Sequence, residues 1–183
     1  MRIALFTTAA LMVSILPVSA ATVDDATAIR MAMPGTLIVS GDLDARQRAE
    51  MLRPVDAFYG FWINGSQALL DAALSPDFVD HTLPPGRPQG PTGPATASKA
   101  FLAAVPDLQV AVIQRLVVQD RVVSHMRFSG HFTGSFHGVK GKGQPVDFIA
   151  TDILKVTNGK VTDNWHLEDN LTFLTQIGAV ANH

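Results

Sequence analysis

The chain has 183 residues, a formal net charge of −2 and no cysteine, and 47% of its residues are apolar. This length fits one domain of about 100–200 residues, and the apolar fraction supplies a core without disulfides. The near balance of acidic and basic residues leaves no basic stripe for phosphates, which argues against nucleic-acid binding. The missing cysteines exclude disulfides, thiol catalysis and cysteine-ligated metal sites.

Residues 1–20 have the pattern of a secretory signal peptide. Arg2 precedes an almost entirely apolar run over residues 3–17, and Val18-Ser19-Ala20 offers a small-x-small cleavage site. The alternative is a membrane anchor, but the run is shorter than the ~20 residues that a bilayer span requires. We therefore expect cleavage after Ala20, a periplasmic or secreted location, and no membrane attachment of the mature chain.

The residues that follow predict an α+β domain over residues 44–183, after an N-terminal arm at residues 21–43. The arm mixes small and polar side chains, so we interpret it as extended or loosely docked. Apolar residues recur first at helical spacing and later at alternate positions. The predicted helices cover residues 44–64, 69–74, 95–105 and 171–176, and the predicted strands cover residues 78–81, 108–118, 122–132, 146–156 and 160–168.

Helices that precede a run of antiparallel strands indicate the α+β class. Long strands with helices on only one face are expected to curl round them. The prediction is thus a curved antiparallel sheet and three N-terminal helices that enclose a pocket. Pro54 is expected to split or kink the first of these helices, and Asn158-Gly159 predicts a two-residue hairpin between the last two strands.

The last predicted strand carries the sharpest cluster of candidate residues, Trp165-His166-Leu167-Glu168-Asp169. Strand alternation places Trp165, Leu167 and Asp169 on one face, with His166 and Glu168 on the other. If the Trp165 face is buried, Asp169 has a raised pKa and suits general acid–base catalysis. The alternative is that Asp169 caps the final short helix.

Asp152 is a further candidate because its strand, from Phe148 to Leu154, is apolar on both sides of it. A charge in such a place is expected to be either functional or paired in a structural role. Phe148 and Asp152 are therefore both included among the predicted substrate-binding residues.

Aromatic residues concentrate on the first helix, where Tyr59 and Trp62 either pack in the core or line a cavity. His81 follows a brief strand and is either a hydrogen-bond donor at the pocket mouth or a surface residue. The six histidines show no i, i+2 pair, so no metal site is predicted.

Short motifs in this order and spacing resemble the SnoaL-like polyketide cyclase or ester cyclase family, in the nuclear transport factor 2-like superfamily. The resemblance covers about residues 45–178. Its motifs are Phe78-Val79-Asp80-His81, Phe101, Pro106-Asp107-Leu108, Asp120-Arg121-Val122-Val123, Gly130, Thr133-Gly134-Ser135-Phe136-His137-Gly138, Gly159-Lys160-Val161, Trp165, Asp169 and Gln176-Ile177-Gly178.

The resemblance implies a cone-shaped fold and cyclases that close a ring by intramolecular aldol addition without a cofactor. It implies Asp169 as the acid–base residue and His81 as a residue of the pocket wall. His125-Met126 stands where an arginine-tryptophan pair is typical, and His125 is included among the substrate-binding candidates. Members of the superfamily also commonly form homodimers through the outer sheet face, and we expect the same here.

The sequence thus predicts a pocket protein of the cyclase or isomerase type, in which Asp169 removes a proton next to a carbonyl of a small apolar substrate. The residues expected to orient that substrate are His81, Tyr59, Trp62 and Trp165. The alternatives are a non-catalytic binder of a small apolar molecule and a dimeric interaction protein. Export argues against the literal polyketide reaction, because antibiotic cyclisation normally follows synthesis in the cytoplasm.

Overall fold

The computed structural model describes residues 23–181, so the predicted signal peptide lies outside the described residues and stays a prediction. Within this range, no helix is both long and apolar enough to cross a bilayer. The helices are α1 (Asp25–Met31), α2 (Ala45–Asn64), α3 (Gln67–Ala73), α4 (Thr92–Ala104) and α5 (Asn170–Gln176).

A curved, unclosed sheet of six strands forms the other layer, in the order β1-β3-β4-β7-β8-β2. The predicted antiparallel pairing is confirmed for the four central strands, whereas the edge strands β1 and β2 run parallel to β3 and β8. The strands are β1 (Thr36–Val39), β2 (Leu74–Asp80), β3 (Gln109–Val118), β4 (Arg121–Phe132), β7 (Gln144–Thr157) and β8 (Lys160–Glu168), with a small hairpin of β5 (Ser135–Phe136) and β6 (Val139–Lys140).

Helix α2 packs along the inner face of this sheet and carries its aromatic residues into the core. It begins at a capping box, in which the Asp44 side chain accepts from the Gln47 amide and the Gln47 side chain accepts from the Asp44 amide, both at 2.8 Å. Pro54 does not split the helix, which is continuous to Asn64. Gly65 ends it with a left-handed φ of 72°, a conformation that glycine adopts without a steric penalty.

The N-terminal segment docks firmly, so the prediction of an extended or loosely docked arm is wrong. Ala28 of α1 and Ala32, the residue that caps its C-terminus, are fully buried, because they lie four residues apart on the face that meets the core. The Asn64 side chain donates to Asp25 Oδ1 at 2.8 Å, and β1 adds a parallel edge strand beside β3. The segment therefore completes the core.

The docking of α1 predicts different effects for the same substitution at two positions of one helix. Ala28→Gln puts a larger polar side chain into a fully buried site and should lower the free energy of unfolding by about 1–3 kcal/mol. Ala26→Gln, on the exposed side of α1, should change it by less than about 0.5 kcal/mol. Chemical denaturation measures both, and equally small effects would contradict the docking of α1.

Candidate active site

A cavity lies between the helices and the inner face of the sheet, with a volume of about 50 Å³. A space of this size holds a few water-sized groups, so it suits a small ligand or the reactive end of a larger one. Its aromatic wall consists of Phe58, Trp62, Phe78, Phe101, Phe128 and Phe148. Three carboxyl side chains, those of Asp80, Asp152 and Glu168, interrupt this apolar surface.

His166 lies between two of these carboxylates at the polar end of the cavity. Its Nε2 is 2.9 Å from Asp80 Oδ2, its Nδ1 is 2.8 Å from Glu168 Oε1, and its side chain is only 6% exposed. Burial by itself lowers the pKa of His166, but hydrogen bonds to Glu168 and Asp80 and their charges outweigh burial and raise this pKa to about 9. The ring is therefore charged at neutral pH, with both N–H groups donated to carboxylates.

The same contacts keep Glu168 ionised. Burial favours the neutral acid, yet the hydrogen bond and charge of His166 hold the pKa of Glu168 below its ordinary value. Asp80 also accepts from the backbone amide of Thr82 at 2.9 Å. Both carboxylates are thus engaged in structural pairs and are poorly placed to take a proton from a ligand.

Asp152 lies directly opposite His166 in the pairing of β7 with β8 and is 7% exposed. Its Oδ2 accepts a hydrogen bond from the Tyr59 hydroxyl at 3.0 Å. Burial raises the pKa of Asp152 to about 7; His166 offsets part of that rise, and the charge of Glu168 adds to it. A carboxyl with such a pKa can accept and return a proton near neutral pH.

A neutral amide lines the cavity beside these charges. Asn164 is 5% exposed, and its Oδ1 has no hydrogen-bond partner among residues 23–181. Buried polar atoms are nearly always bonded, so this oxygen is available to accept a hydrogen bond from a ligand. The N–H₂ group of Asn164 can donate to a carbonyl oxygen.

A row of polar side chains supports Asp152 from behind. Cross-strand pairing aligns Arg115 with Ser124, Ser124 with Asp152, and Asp152 with His166. Arg115 is fully buried, bonds Ser124 and Asp56, and has its guanidinium 5.3 Å from the centre of the Tyr59 ring. These contacts fix the ring whose hydroxyl holds Asp152.

Four of the residues predicted from the sequence line the cavity. Tyr59 and Trp62 reach it from α2, while Phe148 and Asp152 reach it from β7. Of these, Asp152 is the residue whose pKa burial raises to about 7, near neutrality.

Asp169 lies elsewhere, so the expectation that it is a pocket residue is corrected. Its side chain caps α5, accepting from the Thr172 amide at 3.1 Å and from the Thr172 hydroxyl at 2.7 Å. These hydrogen bonds lower the pKa of Asp169, which is the opposite of what a general base near neutral pH needs. Asp169 is therefore the N-cap of α5, which was the alternative prediction for this residue.

Three further candidates lie on the outer face of the sheet, and their expected place in the pocket is also corrected. The rings of His81 and Trp165 stack at 4.2 Å, and His81 Nε2 is 2.7 Å from Asp163 Oδ1. His125 contacts the Thr151 hydroxyl at 2.8 Å. His125 and Trp165 alternate along their strands with residues that point inwards, and His81 directly follows the buried Asp80 at the end of β2.

Several cavity residues that were not predicted from the sequence lie beside predicted residues along the chain and point inwards. Phe78 and Asp80 share a face of β2, so the alternation that buries Phe78 also turns Asp80 inwards and His81 outwards. The predicted alternation of β8, which separates His166 and Glu168 from Trp165, is confirmed. The face that lines the cavity, however, is that of His166 and Glu168 rather than that of Trp165. Arg87, in the loop before α4, also lines the cavity and had no signal beyond its place in a proline-glycine loop.

The outer face exposes a strip of apolar residues, among them Ile149 at 46%, Ile153 at 41% and Leu167 at 78%. This strip is compatible with the expected homodimer, which stays a prediction. Within residues 23–181, no three His, Asp or Glu side chains are grouped to hold a metal ion.

This geometry agrees with the comparisons to known proteins. The family model of the SnoaL-like polyketide cyclases matches residues 53–177. The chain belongs to that family. Among functionally curated proteins, none matches it.

Solved structures of related proteins share the fold of this SnoaL-like chain. A candidate polyketide cyclase from Bacillus cereus is 36% identical, with a TM-score of 0.75 over 82% of this chain and 95% of its own. TsrD from Streptomyces laurentii is 26% identical, with a TM-score of 0.66 over 76% of this chain and 100% of its own. IdmH from Streptomyces antibioticus, a candidate polyketide cyclase, is 26% identical, with a TM-score of 0.61 over 69% and 99%.

The pairing of His166 predicts a specific dependence of stability on pH. Folding raises the pKa of His166 from 6.5 to about 9, so the folded state favours the protonated ring. This contribution to the free energy of unfolding is fully present below the unfolded pKa and is lost as the pH rises through the folded pKa. His166→Gln should therefore abolish a fall in stability that the wild type shows over that pH range.

Chemical denaturation across that pH range makes the measurement. The matched control is His131→Gln, because the His131 side chain is 60% exposed; this variant should keep the wild-type pH dependence. A His166→Gln protein whose stability falls as steeply as that of the wild type would contradict the buried imidazolium.

Proposed function

We propose that this protein catalyses cofactor-free acid–base chemistry of the cyclase or isomerase type on a small carbonyl compound. The observation that carries the proposal is Asp152, a buried carboxyl with a pKa raised to about 7, in an aromatic cavity that the Asn164 amide also lines. Family membership supports the reaction class, since related structures include candidate polyketide cyclases.

Ionised Asp152 would remove a proton from the carbon next to the substrate carbonyl. The electron pair of the broken C–H bond forms the C=C bond of an enolate, and the negative charge moves to the carbonyl oxygen. The Asn164 amide donates a hydrogen bond to that oxygen, where preorganised donors are most effective. In an isomerase, protonated Asp152 then returns the proton to another carbon of the substrate.

A cyclase would use the same enolate differently. The enolate carbon attacks a second carbonyl of the same molecule, a C–C bond closes the ring, and protonated Asp152 gives its proton to the resulting alkoxide. The aromatic wall excludes water, which would otherwise screen the charge that develops on oxygen.

His166 and Tyr59 act as positioning residues in this scheme. Both nitrogens of His166 are occupied by Asp80 and Glu168, so the imidazolium holds those two carboxyl side chains in place rather than touching the substrate. The Tyr59 hydroxyl bonds Oδ2 of Asp152, which leaves Oδ1 for the substrate proton. The cavity therefore has one carboxyl tuned for proton transfer.

The proposal predicts that Asp152→Asn slows enolisation about 100- to 10,000-fold, the usual contribution of a general base. Acetylacetone is a suitable probe, because deuterium exchange of its central methylene protons is followed by NMR. Asp169→Asn is the matched control, since it changes the same functional group at the α5 cap and should keep wild-type exchange. Because the ionised carboxylate is the base, the wild-type rate should rise with pH and level off above the raised pKa of Asp152.

A different ordering of these variants would reject the assignment. If Asp169→Asn abolishes exchange and Asp152→Asn does not, the general base is misplaced. If wild type and Asp152→Asn exchange equally slowly while both bind acetylacetone, the cavity performs no proton transfer, and the protein is a non-catalytic binder.

A further inference from the structure

One arginine among the described residues lines the cavity, and the proposed proton transfer does not use it. Arg87 reaches the cavity wall from the loop between β2 and α4 and is half-buried. It makes no ion pair with any residue in the range 23–181. The arginines that do pair with a carboxylate are Arg46, Arg115, Arg121 and Arg127.

The loop that carries Arg87 is hydrogen-bonded to the backbone of Asp80, at the polar end of the cavity. Gln89 bonds the backbone of Asp80 twice: its Oε1 accepts from the Asp80 amide at 2.7 Å, and its Nε2 donates to the Asp80 carbonyl at 2.9 Å. The loop also packs tightly on α4, since a Cβ atom at Gly93 would lie 2.5 Å from the Pro88 carbonyl oxygen. The backbone of the loop that presents Arg87 to the cavity is therefore anchored on both sides.

The acidic residues of the cavity do not neutralise Arg87 by direct pairing. Glu168 and Asp80 each bond His166, although the charge of Arg87 contributes to the lowered pKa of Glu168, after burial and His166. A guanidinium that is partly withdrawn from water gains from a partner that pairs with it. An anionic group on a ligand supplies that partner.

We propose that Arg87 binds a carboxylate of the substrate, and that the substrate class is a small β-keto acid. This inference rests on the proposed proton transfer at Asp152. The planar guanidinium binds a carboxylate through two parallel hydrogen bonds. Arg87 and Asp152 line the same small cavity, with a volume of about 50 Å³, so one small ligand can contact both side chains.

A β-keto acid combines both functional groups in a small molecule, since one methylene separates its carboxylate from its carbonyl. Asp152 would remove a proton from this methylene while Arg87 holds the carboxylate and Asn164 the carbonyl oxygen. A phosphate monoester, with up to two negative charges, is a poorer match because Asp80 and Glu168 line the same space and would repel it.

The test compares two probes of similar shape and different charge. Acetoacetate ends in a carboxylate where acetylacetone has a neutral acetyl group. Dissociation constants of both are measured by NMR titration with wild type, Arg87→Gln and Arg53→Gln. Arg53 is an exposed residue of α2, so its variant loses the same charge away from the cavity.

Arg87→Gln should weaken acetoacetate binding about 10- to 100-fold, the usual range for a charge-assisted bidentate pair. Acetylacetone binding should change less than about twofold, and Arg53→Gln should leave both probes unchanged. Arg87→Lys keeps the charge without the planar fork and should give an intermediate loss. Thermal unfolding confirms that the variants are folded before the titrations.

The proposal is overturned if Arg87→Gln binds acetoacetate as tightly as the wild type, or if it weakens both probes equally. That failure is distinct from failure of the proposed function, which appears as acetylacetone exchange that does not depend on Asp152. Binding of acetoacetate requires no proton transfer, so the two results are independent.

Discussion

The buried imidazolium of His166 is the interaction on which the rest of the cavity depends. It bonds Asp80 from the edge strand β2 and Glu168 from its own strand β8, so it links the side chains of the two strands and holds the pKa of Glu168 below its ordinary value. The cost of burying these charges is offset because the pairs are close and fully bonded. Asp152 lies opposite His166, but the charge of His166 offsets only part of the effect of burial. The pKa of Asp152 therefore stays near neutrality. The three carboxyl side chains thus differ in role: Asp80 and Glu168 pair with the His166 imidazolium, whereas Asp152 is the proposed reactive group.

The sequence was sufficient for the main elements of the fold, because their hydrophobic periods are long and regular. The strands β3, β4, β7 and β8 and the helices α2 and α4 fall close to their predicted ranges. Helix α1 was missed because only one of its seven residues, DATAIRM, is buried, the small Ala28, so the segment has the composition of a polar linker. The parallel pairing of β1 with β3 and of β2 with β8 could not be predicted either, since it depends on contacts distant in sequence rather than on any local pattern.

The candidate site was harder to predict because it depends on one irregularity in strand pairing. From the Asn158-Gly159 turn, Thr157 pairs with Lys160 and Val156 with Val161, and continuing this register would place Trp165 opposite Asp152. The pairing instead shifts by one residue after Val156, so His166 takes that place. A shift of one residue moves every side chain to the other face. The alternation of β8 was therefore predictable, whereas the face that becomes the cavity wall was not.

The most direct measurement of this account is an NMR titration of the Asp152 carboxyl in the folded protein. The account predicts a pKa of about 7 for Asp152, raised by burial, whereas Asp169 in the same spectra titrates below its ordinary value because of its hydrogen bonds to Thr172. Titration of Asp152 at its ordinary value of 3.8 would contradict the central claim that the cavity prepares this carboxyl for proton transfer.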